Sequence, residues 1–111
     1  MEAIAVRVDA DGRVRTSADL RVYRLAALKK AAYRVAATAT IQLELVDETT
    51  ARLTFGFRST PSEAAAQGAV REFFQEALDE ELRAEVAEET LPVRTLILAH
   101  AFSRVPLLRE R

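Results

Sequence analysis

Residues 41–57 read IQLELVDETTARLTFGF, and they restrict the possible folds more than any other stretch. Ile41, Leu43 and Leu45 alternate with Gln42 and Glu44, and Leu53, Phe55 and Phe57 alternate with Arg52, Thr54 and Gly56. Successive side chains on a strand point to opposite faces, so each run has one apolar and one polar face. The polar stretch Asp47-Glu48-Thr49-Thr50 between them is turn material. The pattern predicts an antiparallel hairpin over 41–46 and 52–58 with one wet face. Phe55 and Phe57 are expected on the dry face, buried against a long helix.

The N-terminal segment alternates as well. Ile4, Val6 and Val8 are separated by Ala5 and Arg7, which reads as a half-buried strand. Asp11-Gly12 is a turn signal, and Arg13-Val14-Arg15 is a short return strand. From Tyr23 to about Ala36 the period becomes helical, with Leu25, Leu28, Ala32 and Val35 on one face. Thr60-Pro61-Ser62-Glu63 starts a second helix, with Thr60 as cap, Pro61 at the first helical position and Glu63 closing a capping box. That helix is expected to reach about Ala87. A third follows from about Leu91 to Ser103, because proline at 92 suits a first turn and is costly inside a helix. The order is strand, helix, strand, strand, helix, helix. It predicts one α+β domain over residues 1–111, a small antiparallel sheet with helices on one face, and a loosely held tail at 104–111.

Residues 73–102 hold seven carboxylates and two arginines. In helical projection Val70, Phe73, Phe74, Ala77 and Leu78 form the apolar stripe. Glu72, Glu76, Asp79 and Arg83 lie opposite, so a solvated face accounts for most of the acids. Glu76, Asp79 and Glu80 are expected to keep that face in water and to pair with Arg83. Glu81 breaks the pattern, because it falls inside the stripe, with Glu85 and Glu88 close to the same line. A carboxylate there needs water or a partner. The contact surface could rotate with Leu82 and Val86 and leave these acids wet. One of them could pair with Arg94 on the next helix, or all could await a basic partner. Glu89 and Thr90 read as a helix junction, with the Thr90 hydroxyl capping the last helix and Glu89 favoured by its dipole. Arg94 would then fold back on Glu89 or a nearby acid and fix the angle between the helices.

Composition removes several classes of function. The formal net charge of -1 favours neither nucleic acid nor anionic membranes. Without cysteine the chain cannot form disulfides, thiolate zinc sites or a cysteine-ligated iron–sulfur cluster, and a single histidine rules out histidine-rich metal sites. No cofactor is expected. No run approaches the roughly 18 apolar residues of a membrane span, and the early acids of MEAIAVRVDADG do not suit a signal peptide. A soluble cytoplasmic protein is expected. His100 has no nucleophile or orienting acid at motif spacing, so independent catalysis is not expected. Tyr23 and Tyr33 are read as core packers. Arg52 and Arg58, on the wet side of the hairpin, suit either edge charges or contacts to a peptide carboxylate.

Leu78-Asp79-x-x-Leu82-Arg83 is followed by Glu89-Thr90-x-x-x-Arg94-x-Leu96-Ile97-x-Ala99-x-Ala101-Phe102, and Lys30-Ala31-Ala32-Tyr33 lies on the first helix. Over residues 22–104 these blocks resemble the His-Xaa-Ser system protein HxsD family. The resemblance implies a setting, in which such proteins are encoded beside two radical SAM proteins and a small protein with His-Xaa-Ser repeats. That set fits the modification of a ribosomally made peptide. It implies no catalytic residue, and an accessory protein that binds a radical SAM partner or the precursor peptide. The other reading is an obligate oligomer, in which apolar positions of the last two helices mate with another copy.

Overall fold

A computed structural model describes residues 6–103. The expected hairpin is its centre. Strand β2 (Thr40–Leu45) pairs antiparallel with β3 (Thr50–Gly56), in a register that sets Ile41 opposite Phe55, Leu43 opposite Leu53 and Glu44 opposite Arg52. Directly opposed residues share a face, so this register collects the apolar side chains on one side and the polar ones on the other. In the connecting turn, Asp47 Oδ1 accepts the Thr49 backbone N–H at 2.8 Å and its hydroxyl at 3.1 Å, a local side-chain closure that favours the turn over a longer strand.

The third strand, β1, is Val14–Asp19, and it pairs antiparallel with the other edge of β3, so the sheet order is β1-β3-β2. It is longer than the return strand expected at Arg13–Arg15. Thr16, Ser17 and Ala18 carry little strand signal of their own, and the ladder to Leu53, Arg52 and Ala51 holds them extended. Val8 makes an isolated bridge to Val14. Gly12, at φ +80°, supplies the left-handed turn between them. Ile4 lies outside the described residues, as does the tail at 104–111.

Helix α1 (Leu25–Arg34) buries Ala27, Leu28 and Ala31. Helix α2 begins at Glu63, and the Ser62 hydroxyl accepts the Ala65 N–H at 3.1 Å. Ser62 therefore takes the capping position expected of Thr60. Leu28, Ala31 and Val35 join Ala66, Val70, Phe73 and Ala77 in one cluster with the dry sheet face of Val14, Ala18, Ala51, Leu53 and Phe55. Phe55 and Phe73 meet edge to face with centroids 5.6 Å apart, and Phe74 meets Tyr23 in a tilted contact at 5.7 Å. Phe57 is only partly buried. The architecture is α+β, in the order β-α-β-β-α.

Three expectations fail here. Leu78 is exposed, because the buried stripe is centred on Phe73 and Ala77 and takes in Glu80 instead. Tyr33 is 84 % exposed and does not pack in the core. The expected break before Leu91 is also absent, since α2 runs Glu63–Ser103 with Pro92 inside it. The chain divides into two compact units, Met1–Glu81 and Leu82–Arg111. The sheet, α1 and the start of α2 belong to the first.

Candidate functional site: the polar face of the sheet

The wet face of the sheet carries Arg15 and Ser17 from β1, Arg52 and Thr54 from β3, and Gln42 and Glu44 from β2. Most of its charges cancel. Arg52 reaches Glu44 at 2.7 Å, as the register dictates. Arg15 binds Asp9 and Asp11, each at 2.7 Å. The Arg15 guanidinium and the Arg13 backbone N–H hold the Asp11 carboxyl down at about 2.

One end of this face opens into a cleft of about 650 Å³. Its floor is Gln42, Thr54 and Gly56, and its walls are the turn at 11–13, the segment 36–40 that leads into β2, and residues 57–60. The turn stands close against the opposite wall. A Cβ on Gly12 would lie 3.0 Å from the Thr60 hydroxyl oxygen, at a φ that L side chains rarely adopt. Arg13 and Arg58 both line the cleft and both are exposed. Beside it, β2 has β3 on one edge only; among the described residues no strand pairs with the other. Unpaired strand edges offer backbone donors and acceptors to another extended chain.

Of the candidates read from sequence, Arg52 and Arg58 fall on this face, one neutralised by Glu44 and the other in the cleft. The rest lie on α2. Asp79 and Arg83 are exposed. Glu81 is 7 % exposed, and it is neither wet nor held for Arg94. It accepts the Arg24 backbone N–H at 2.8 Å, and Nε and Nη2 of Arg24 at 3.1 Å. Glu80 does not keep the outer face in water. It is 6 % exposed, with Oε2 lying 2.8 Å from Arg34 Nε. That contact lacks hydrogen-bond alignment, so it counts as an ion pair and leaves Oε2 without a hydrogen bond. Glu76 stands 3.9 Å from the same Nε.

The junction read at Glu89, Thr90 and Arg94 does not form. Thr90 lies inside α2 and its hydroxyl donates back to the Val86 carbonyl at 3.0 Å. Arg94 donates to the Ala87 carbonyl at 3.3 Å, not to Glu89. Glu85, Glu88, Glu89 and His100 are exposed. Among the described residues no group of three or more His, Cys, Asp or Glu is placed to hold a metal ion. No helix among them is long and apolar enough to cross a membrane.

Arg13, Arg24 and Arg34 were missed by sequence reasoning, and Glu80 was placed on the wet face. Arg13 carried a signal, because it precedes a strand on the same face as Arg15. Glu80 lies beside Phe73 at the margin of the stripe, and only the nearness of Arg34 decides that it is covered.

Residues 18–107 match the family model of the His-Xaa-Ser system protein HxsD. The chain belongs to the HxsD family. Comparison with curated proteins and with solved structures gives no match. The HxsD match covers α1, β2, β3 and α2, hence the floor of the cleft and the wall that holds Arg58. The turn that carries Arg13 precedes it.

Proposed function

We propose that this HxsD-family chain is a non-catalytic accessory protein of a His-Xaa-Ser peptide-maturation system, which holds the precursor peptide for a radical SAM partner. The observation that carries this reading is the open edge of β2 beside a polar cleft. An extended peptide adds there as a fourth strand, gaining backbone hydrogen bonds whatever its side chains. Without cysteine, this chain leaves the ligands of any iron–sulfur cluster to the partner. Amide hydrogen exchange with the His-Xaa-Ser repeat precursor tests the reading. Amides at 40–45 should slow on binding while those of β1 do not. Slowing confined to residues 82–103, or none at all, would discard strand addition at this edge.

A second reading rests on the second unit. Leu91, Val93, Leu96, Ile97 and Leu98 are each more than half exposed on α2. Apolar residues on so much of a helix favour burial by another chain, either a further copy or the radical SAM partner.

A further inference from the structure

We infer that the cleft at the end of the polar sheet face is a carboxylate site, in which Arg13 and Arg58 receive an acidic side chain or the C-terminus of a bound peptide. This inference rests on the peptide-binding reading and narrows it. The first unit gives most of its arginines a carboxylate. Arg15, Arg21, Arg24, Arg34 and Arg52 all have one. Among the described residues, the guanidinium groups of Arg13 and Arg58 make neither a hydrogen bond nor an ion pair, although the Arg13 charge also acts on Asp11 at longer range. Yet both line the same cleft.

The local charge favours an anion. Asp11 is the one carboxylate lining the cleft, and Arg15 holds it by two contacts at 2.7 and 3.4 Å. Asp9 is tied to the same guanidinium. These two acids stand against three guanidinium groups, which leaves one positive charge at this end of the sheet. The remaining wall contributes donors that suit a carboxylate oxygen, the hydroxyls of Thr40, Ser59 and Thr60 and the amide of Gln42. Guanidinium groups match a planar carboxylate through paired N–H donors, which gives direction as well as charge. The cleft adjoins the open edge of β2, so a peptide paired along that strand runs past it. Strand pairing would supply affinity independent of sequence, and the two arginines would fix where along the peptide it docks.

Three short threonine- and valine-rich peptides test this by NMR titration. The first has a central glutamate and an amidated end, the second a glutamine there and a free C-terminal carboxylate, and the third a glutamine and an amidated end. The first or second should bind about tenfold more tightly than the third, the value of one charge-assisted hydrogen bond. The tighter of the two identifies the source of the carboxylate. Arg13→Gln and Arg58→Gln should each remove most of that advantage. Arg52→Gln should leave it intact, because Arg52 is already paired with Glu44. Added salt should weaken the charged peptide more than the neutral one. Equal binding of all three peptides with signals of 40–45 moving would overturn the carboxylate site and leave strand addition standing. A preference for charge that survives both arginine substitutions also overturns it. If none of the three binds at millimolar concentration, both readings fall.

Discussion

Glu81 accepts a backbone N–H from the residue that precedes α1, and it does so from a position 57 residues away. Helix α1 begins after Arg24 with no side-chain cap of its own and no acid in its first turn. The Arg24 N–H therefore lacks the acceptor that the acid of a capping box would supply locally. Glu81 fills that role from α2, and the Arg24 guanidinium neutralises its charge. Replacing Glu81 by alanine should cost about 2 kcal/mol in urea unfolding, since a part-buried backbone N–H and a guanidinium both lose their acceptor. Glu81→Gln keeps an oxygen for the N–H and should cost clearly less; equal losses would assign the effect to charge alone. A second expectation concerns the exposed aspartates. Arg15 lowers Asp11, and Arg21 lowers Asp19, each from 3.8 to about 2. A depressed carboxyl stabilises the fold above its unfolded value of 3.8, and that contribution disappears as pH falls through about 2. Carboxyl-carbon NMR titration should show both midpoints near 2, and Arg15→Gln should return Asp11 towards 3.8 while leaving Asp19 in place.

At the scale of elements, α2 sets the main question. Proline at 92 removes the N–H that would bond the Glu88 carbonyl, and its ring crowds that turn. The helix nevertheless continues to Ser103. Around the proline, the Thr90 hydroxyl and the Arg94 guanidinium place polar hydrogens on the carbonyls of Val86 and Ala87. These are back-bonds within a helix rather than a cap on a new one. Thr90→Ala should therefore change stability by less than about 0.5 kcal/mol, because the lost bond is offset by the better helix propensity of alanine. A loss of 1–2 kcal/mol would instead mark a true cap and a break at this point. Pro92→Ala should strengthen the helix locally, and slower amide exchange over 88–96 is the measurement that shows it.

For the whole molecule, the two units present opposite chemistry. The first buries Phe55, Phe73, Leu28 and Leu53 completely and turns a polar sheet face to water. In the second, Leu82, Val86, Leu91, Val93, Leu96, Ile97 and Leu98 are all about half exposed or more. Exposed apolar area of this kind gains free energy when another surface covers it, at roughly 25 cal/mol per Å². If a second copy supplies the cover, light scattering after size exclusion should give twice the chain mass of 12.3 kDa, falling on dilution. Replacing Leu96 and Ile97 together by aspartate should then yield a monomer whose sheet still unfolds cooperatively. A wild-type mass of one chain at all concentrations would assign the apolar positions to a different protein.

Sequence alone determined the hairpin and the dry side of its centre, because alternation through Ile41 and Leu43 and through Leu53 and Phe55 has a single reading once one side must be buried, whereas the register, the exposure of Leu45 and the half-burial of Phe57 came only with the structure. It also determined the helical core positions Leu28, Val70, Phe73 and Ala77, where periodicity and burial agree, and it carried the blocks that resemble the HxsD family. It did not determine β1 beyond Val14, because a Thr-Ser-Ala stretch becomes a strand only when a ladder is offered to it. It did not separate Arg52 from Arg58, which look alike by alternation and differ only in that Glu44 stands opposite one of them. It placed Glu81 in the apolar stripe but could not find Arg24. Periodicity reports which side of an element is covered, whereas the partner of a buried charge depends on which distant element packs there, and that choice belongs to the tertiary structure.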